Sequence, residues 1–349
     1  MENIRAIKII IAIQMGVLLG IPFFALAYDQ FTTHPALTSE IVKFYNYSFP
    51  NIKLLDEDKS LIMQGSIDED KNVRFLRHFY DPVHKRGLTL NDLRLPRDPQ
   101  LAGLIFATQA PFTSSKEWAE SPGLQNGNGL FASLSQPVFS GEDDFSWERS
   151  IYEYAWGDKK RALLGLGHIL HLLEDATVPD HTRNDPHPPF QEFLPGNAPE
   201  ELKVLAGFQA SPYEMYAERY TINTIKTADN LIQEHQKPTI KGSLGEYFDF
   251  LATYSNNNFF SKDTISNDFF SYPNLKKLFP IKDKFGNYFV TDDSGRIFFR
   301  LEDIDGKIFP QLNDNLVLSS YWSHLSKQAV LNGAGVIQLF FNEIEKEKN

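Results

Sequence analysis

The sequence contains no cysteine. A disulfide framework and a thiolate metal site are both excluded, so any bound metal has to be held by histidine, aspartate and glutamate. Positive charge is scarce as well: 34 lysines and arginines stand against 45 acidic residues, a net charge of -11. An acidic chain argues against a dedicated duplex nucleic-acid binder, which offers a basic face. Beyond the N-terminal segment there is no apolar run long enough to cross a bilayer.

What is present suits a folded chain. Of 349 residues, 42% are hydrophobic and 13% aromatic, enough for a substantial core. At the N-terminus, Arg5 and Lys8 precede an uncharged apolar run that closes in Ala25-Leu26-Ala27, the small-x-small pattern that signal peptidase reads. Residues 1–27 are therefore expected to be a cleaved signal peptide, with a mature chain starting at Tyr28 that is secreted or periplasmic. An uncleaved membrane anchor is the competing reading, against which Pro22 and the Ala-x-Ala ending weigh.

The hydrophobic period predicts a mostly α protein with long loops and one small β insertion. Helices are expected over 38–47, 53–63, 213–234, 244–254 and 319–345. The apolar stretch 146–177 reads as two helices meeting near Gly157-Asp158, the second buried on most sides. Proline, glycine and asparagine between 88 and 145 predict long loops with one or two short helices. Over 286–312, aromatic and β-branched runs separated by Asp-Ser-Gly and Asp-Gly predict β-hairpins. The remainder, 28–349, reads as a single domain.

The strongest chemical signal is HLLEDATVPDH, with His171, Asp175 and His181. A spacing of four puts His171 and Asp175 on one helix face, where they can grip one metal ion, and His181 follows a proline-containing turn. A simple His-Asp pair capping a helix end is the bland alternative. Upstream, Asp68, Glu69 and Asp70 precede His78, which would let an acid and an imidazole from another segment complete the coordination. Such an acidic run alone reads as a solvated turn. His34 lies soon after the expected cleavage point. His168, one turn before His171, reads as a buried hydrogen-bonded histidine behind the ligands. His84, His235 and His324 have no acidic partner at ligand spacing.

HFYDP at 78–82, the H-x3-D-x5-H run at 171–181 and a histidine close behind an export signal together resemble the zinc-dependent phospholipase C family and the related fungal single-strand nucleases. The resemblance spans roughly 28–181 and implies a helical bundle with two to three zinc ions in a cleft. It implies that His78, His171, Asp175 and an acid, Asp70 or alternatively Asp68, hold one zinc. Asp175 would bridge to a second, held by His34 and the amine and carbonyl of Tyr28, where the family usually has tryptophan. A third would take His181 and Glu214. The histidine expected four residues before Glu214 is Ala210 here, so either His187 supplies the imidazole or Glu214 acts with Glu218.

The implied activity is phosphate-ester hydrolysis by metal-activated water, with Asp70 or Asp68 helping as base and a phospholipid at a membrane surface as substrate. A nuclease acting on single-stranded nucleic acid is one alternative. An exported metal-binding protein without activity is the other.

Overall fold

A computed structural model describes residues 31–71, 74–89, 92, 112–125, 143–185, 211–265 and 272–349. The expected signal peptide, Tyr28, His187, Ala210 and most of the loop stretch 88–145 lie outside the described residues.

Among the described residues the long helices pack around one apolar core. α1 (Thr33–Ser48) and α2 (Asp56–Asp68) open the described chain. Asp56, Glu57 and Asp58 fill the first turn of α2, where carboxylates meet the positive end of the helix dipole. Two short helices follow, α3 (Ser115–Glu120) and α4 (Pro122–Gln125), the first closed by a capping box between Ser114 and Glu117. The expected pair over 146–177 is present as α5 (Trp147–Trp156) and α6 (Lys159–Asp175). They part at Gly157, and the Asp158 carboxylate caps α6 by accepting from the Lys160 and Arg161 amides. From Ala162 onward α6 is buried on nearly every side, as its continuous apolar sequence requires.

A one-turn helix, α7 (Pro179–Thr182), carries His181 back past the end of α6. The single helix expected over 213–234 is instead two, α8 (Pro212–Ala217) and α9 (Thr227–Gln233). The break has a local cause in the β-branched run around Thr221 to Thr224. The Thr224 hydroxyl accepts from the Thr221 amide at 2.8 Å and donates to the Arg219 carbonyl at 3.0 Å, a turn that competes with helix. α10 (Leu244–Asn258) precedes the β insertion, and α11 (Asn315–Lys348) closes the chain against α1, α5 and α10.

The insertion is a four-stranded antiparallel meander, β1 (Phe279–Lys282), β2 (Tyr288–Thr291), β3 (Ile297–Ile304) and β4 (Lys307–Gln311). Its turn between β2 and β3 is tied to the body by Arg296 donating to Asn258 and by the Ile297 amide donating to Ser320. The turns at Gly286 and Gly306, both with positive φ, therefore share the opposite end. No helix among the described residues is long and apolar enough to cross a membrane.

One close approach positions the site. A Cβ on Gly65 of α2 would lie 1.9 Å from the Leu164 carbonyl oxygen, and one on Gly167 of α6 would lie 2.0 Å from the Ile62 carbonyl oxygen. Only glycine allows the two helices to touch backbone to backbone, and that contact brings the end of α2 beside His171.

Candidate metal centre

Four segments converge at the C-terminal end of α6. α1 supplies His34, the turn after α2 supplies Asp70 and then His78, α6 supplies His171 and Asp175, and α7 supplies His181. All six side chains are buried. The Asp175 carboxylate sits at the centre. Its Oδ2 lies 3.0 Å from His78 Nδ1, 3.4 Å from His171 Nε2 and 3.8 Å from His181 Nδ1, while Oδ1 faces His34 Nε2 at 3.5 Å. Asp70 Oδ1 lies 3.6 Å from both His78 Nδ1 and His171 Nε2.

These contacts leave a distinctive deficit. Both oxygens of Asp70 and of Asp175, both ring nitrogens of His78 and Nε2 of His171 are buried without a hydrogen-bond partner. Buried polar atoms are almost always satisfied, so a concentration of orphaned ones aimed at each other suits a positive centre held between them. The spacing agrees. A tetrahedral ion bound at about 2.0–2.1 Å places its ligand atoms roughly 3.3 Å apart, and the four acid–imidazole distances that link Asp70 and Asp175 to His78 and His171 run from 3.0 to 3.6 Å. Two overlapping sets, His34 with His171 and Asp175, and Asp70 with His78 and His171, have donor atoms within 4.8 Å of one another. The residues present thus fit a metal ion, held by nitrogen and oxygen alone.

Electrostatics point the same way. Burial opposes a charged His34, but the Asp175 and Glu174 carboxylates beside it override that and raise its pKa to about 10. His171 is also raised, Asp70 and Asp175 overcoming its burial and the repulsion from His34. Asp175 is held well below the usual carboxylate range despite its burial, because His181, His171 and His78 surround it. Burial pushes Asp70 and Glu174 up. The cluster draws in protons where it has no other cation.

Hydrogen bonds behind the donors fix their orientation. His171 Nδ1 donates to the Ser66 carbonyl at 2.7 Å and His181 Nδ1 to the His78 carbonyl at 3.1 Å. His34 Nδ1 instead meets the Glu174 carboxylate at 2.6 Å, and Thr38 donates to the other Glu174 oxygen at 2.8 Å. A second buried network lies beside His78. Glu69 accepts from Arg74 at 2.8 and 2.6 Å, from Trp118 Nε1 at 3.0 Å and from His168 Nδ1, on whose ring Phe145 stacks.

Of the two acids between which the sequence left a choice, Asp70 faces the cluster and Asp68 does not. Asp68 is the last residue of α2, where it pairs with Lys71 at 2.6 Å and accepts from Gln64, so the role of alternative ligand or base does not fit its position. Glu214, at the start of α8, lies 3.0 Å from His181 Nε2. Glu218 is exposed at the C-terminal cap of α8. His168 is buried and hydrogen-bonded as expected, its partner being Glu69. His84 does have an acidic partner, Asp81 at 2.6 Å, in the turn that also receives the Val83 and His84 amides. Glu69 and Glu174 carry more of the site than their sequence context suggests. Each adjoins a residue singled out for chemistry, the only available signal.

No family model and no curated relative matches the chain. Among solved structures, the alpha toxin from Clostridium absonum is similar over 91% of this chain and 66% of the toxin, just under two thirds of its length. The identity is 13% and the TM-score 0.44. At that distance, function has to be read from the side chains of the cluster.

Proposed function

We propose that this protein is a zinc-dependent phosphodiester hydrolase that cleaves phospholipids as a phospholipase C, releasing diacylglycerol and a phosphorylated head group. The observation that carries this reading is the set of buried, unsatisfied donors on Asp70, His78, His171 and Asp175. His78 stands in HFYDP, His171 and Asp175 in H-x3-D-x5-H, and Asp70 in the acidic run before them. Asp70, His78, His171 and Asp175 would hold one ion. The other oxygen of Asp175 would turn to a second with His34 and the mature terminus at Tyr28, and His181 with Glu214 to a third, giving two to three in all.

Zinc bound there would lower the pKa of a coordinated water towards neutrality and neutralise the phosphoryl oxygens. The chain's own residues do the rest. Asp70 has two oxygens without a protein donor, so one can serve as a ligand and the other can accept a proton from the attacking water. Asp175 stands between the four imidazoles, its two oxygens 3.0 to 3.8 Å from their nitrogens. Burial of the cluster excludes bulk water and strengthens each of these interactions.

The lipid preference is supported by the free end of the β meander. Phe285 is 78% exposed and Ile308 60%, and exposed Ile281, Tyr288 and Ile304 stand near them, interleaved with Lys282, Lys284 and Lys307. Apolar side chains flanked by lysines suit the headgroup region of a bilayer.

The test is a side-by-side assay of the zinc-loaded protein on a phosphatidylcholine emulsion and on single-stranded DNA. The expected result is phosphorylcholine release, reduced about 100-fold or more in Asp175→Ala. Preference for DNA would make the protein a single-strand nuclease, and zinc binding without hydrolysis of either would make it a binding protein. Full turnover by metal-replete Asp175→Ala would overturn the mechanism.

A further inference from the structure

Behind the three imidazoles His171, His181 and His34, the second ring nitrogen meets unlike partners. For His171 and His181 the partner is a neutral backbone carbonyl. For His34 it is a carboxylate, Glu174 Oε2, at 2.6 Å, with both groups fully buried. Glu174 is held in turn by the Thr38 hydroxyl, itself from α1, one turn after His34. No lysine or arginine among the described residues pairs with Glu174, Asp70 or Asp175. Their ion-pair partners are histidines.

We propose that Glu174 is a positioning residue that makes the metal position at His34 the tightest of the cluster. This rests on reading the cluster as a zinc site. An anionic acceptor on Nδ1 fixes the tautomer that presents Nε2 towards Asp175, and it increases the electron density that Nε2 can donate. A backbone carbonyl fixes the tautomer but adds no charge. Glu174 is also the residue directly before Asp175, so one turn of α6 sends two carboxylates to the same histidine, one to each ring nitrogen. The ions of this cluster should therefore be unequal, and removing one charge at Glu174 should loosen one of them.

The test is stepwise removal of Zn2+ from the full chain by a competing chelator, comparing wild type, Glu174→Gln, Thr38→Val and His34→Ala. Glu174→Gln keeps the shape and one acceptor oxygen while losing the charge. The expected result is that one ion, the last to leave the wild type, is held 10- to 100-fold more weakly in Glu174→Gln, by a smaller factor in Thr38→Val, and not at all in His34→Ala. The other ions should leave at wild-type chelator concentrations. Wild-type retention of every ion in Glu174→Gln would overturn the proposal, as would equal loosening of all of them. A wild type that takes up no zinc would overturn the zinc reading itself, which separates that failure from this one.

Discussion

Gly65 and Leu164 touch backbone to backbone: a Cβ at position 65 would come 1.9 Å from the Leu164 carbonyl oxygen. That contact sets the distance between the two helices that deliver Asp70 and His171, and Gly167 repeats it one turn further along α6. Gly65→Ala has to push the helices apart. It is expected to destabilise the fold by about 1–3 kcal/mol and to weaken zinc binding with it. Urea unfolding with and without chelator measures both.

The buried Glu69 carboxylate is expected to give acid sensitivity. Burial would raise its pKa, but the Arg74 guanidinium and His168 hold it well below the ordinary 4.5. A depressed carboxylate contributes stability above its unfolded value and loses that contribution as pH falls. Wild type should therefore lose stability progressively below about pH 4.5, and Glu69→Gln should flatten that slope. The substitution leaves Arg74 buried without its counter-charge, an expected loss of about 3–5 kcal/mol at neutral pH. Thermal melts across pH 2–7 check both.

In the metal-free protein the sign reverses. His34 is raised from 6.5 to about 10 by Asp175 and Glu174, which outweigh its burial. A raised histidine contributes stability that is fully present below pH 6.5 and lost as pH rises through about 10. The chelated protein should thus melt at lower temperature as pH rises across this window. The zinc-loaded protein should not show that fall, since zinc needs the histidine deprotonated.

Glu214 and His181 form a pair 3.0 Å from each other. Glu214→Gln is expected to lose at most one ion and to leave the remainder bound, whereas His181→Ala should lose the same one. Metal analysis of the two variants decides it.

Much of this was legible in the sequence because it is local. The change of helix at Gly157-Asp158 follows from a cap and a break in the apolar pattern, and His171 with Asp175 follows from a spacing of four. The choice of Asp70 over Asp68 was not legible. It depends on where α2 stops, since Asp68 is its last turn and faces Lys71. Glu174 reads as an ordinary helical acid because its partner His34 lies 140 residues away. The single helix expected over 213–234 failed for the opposite reason: its apolar period is real, but the threonine side chains at 221 and 224 form a turn that the period does not reveal.

The most direct test of the account is elemental analysis of the purified protein and of His171→Ala, because His171 belongs to both sets of converging donors. The account predicts two to three zinc ions per wild-type chain and a sharp fall in the variant. A wild type without bound metal, or a variant with undiminished zinc, would contradict it.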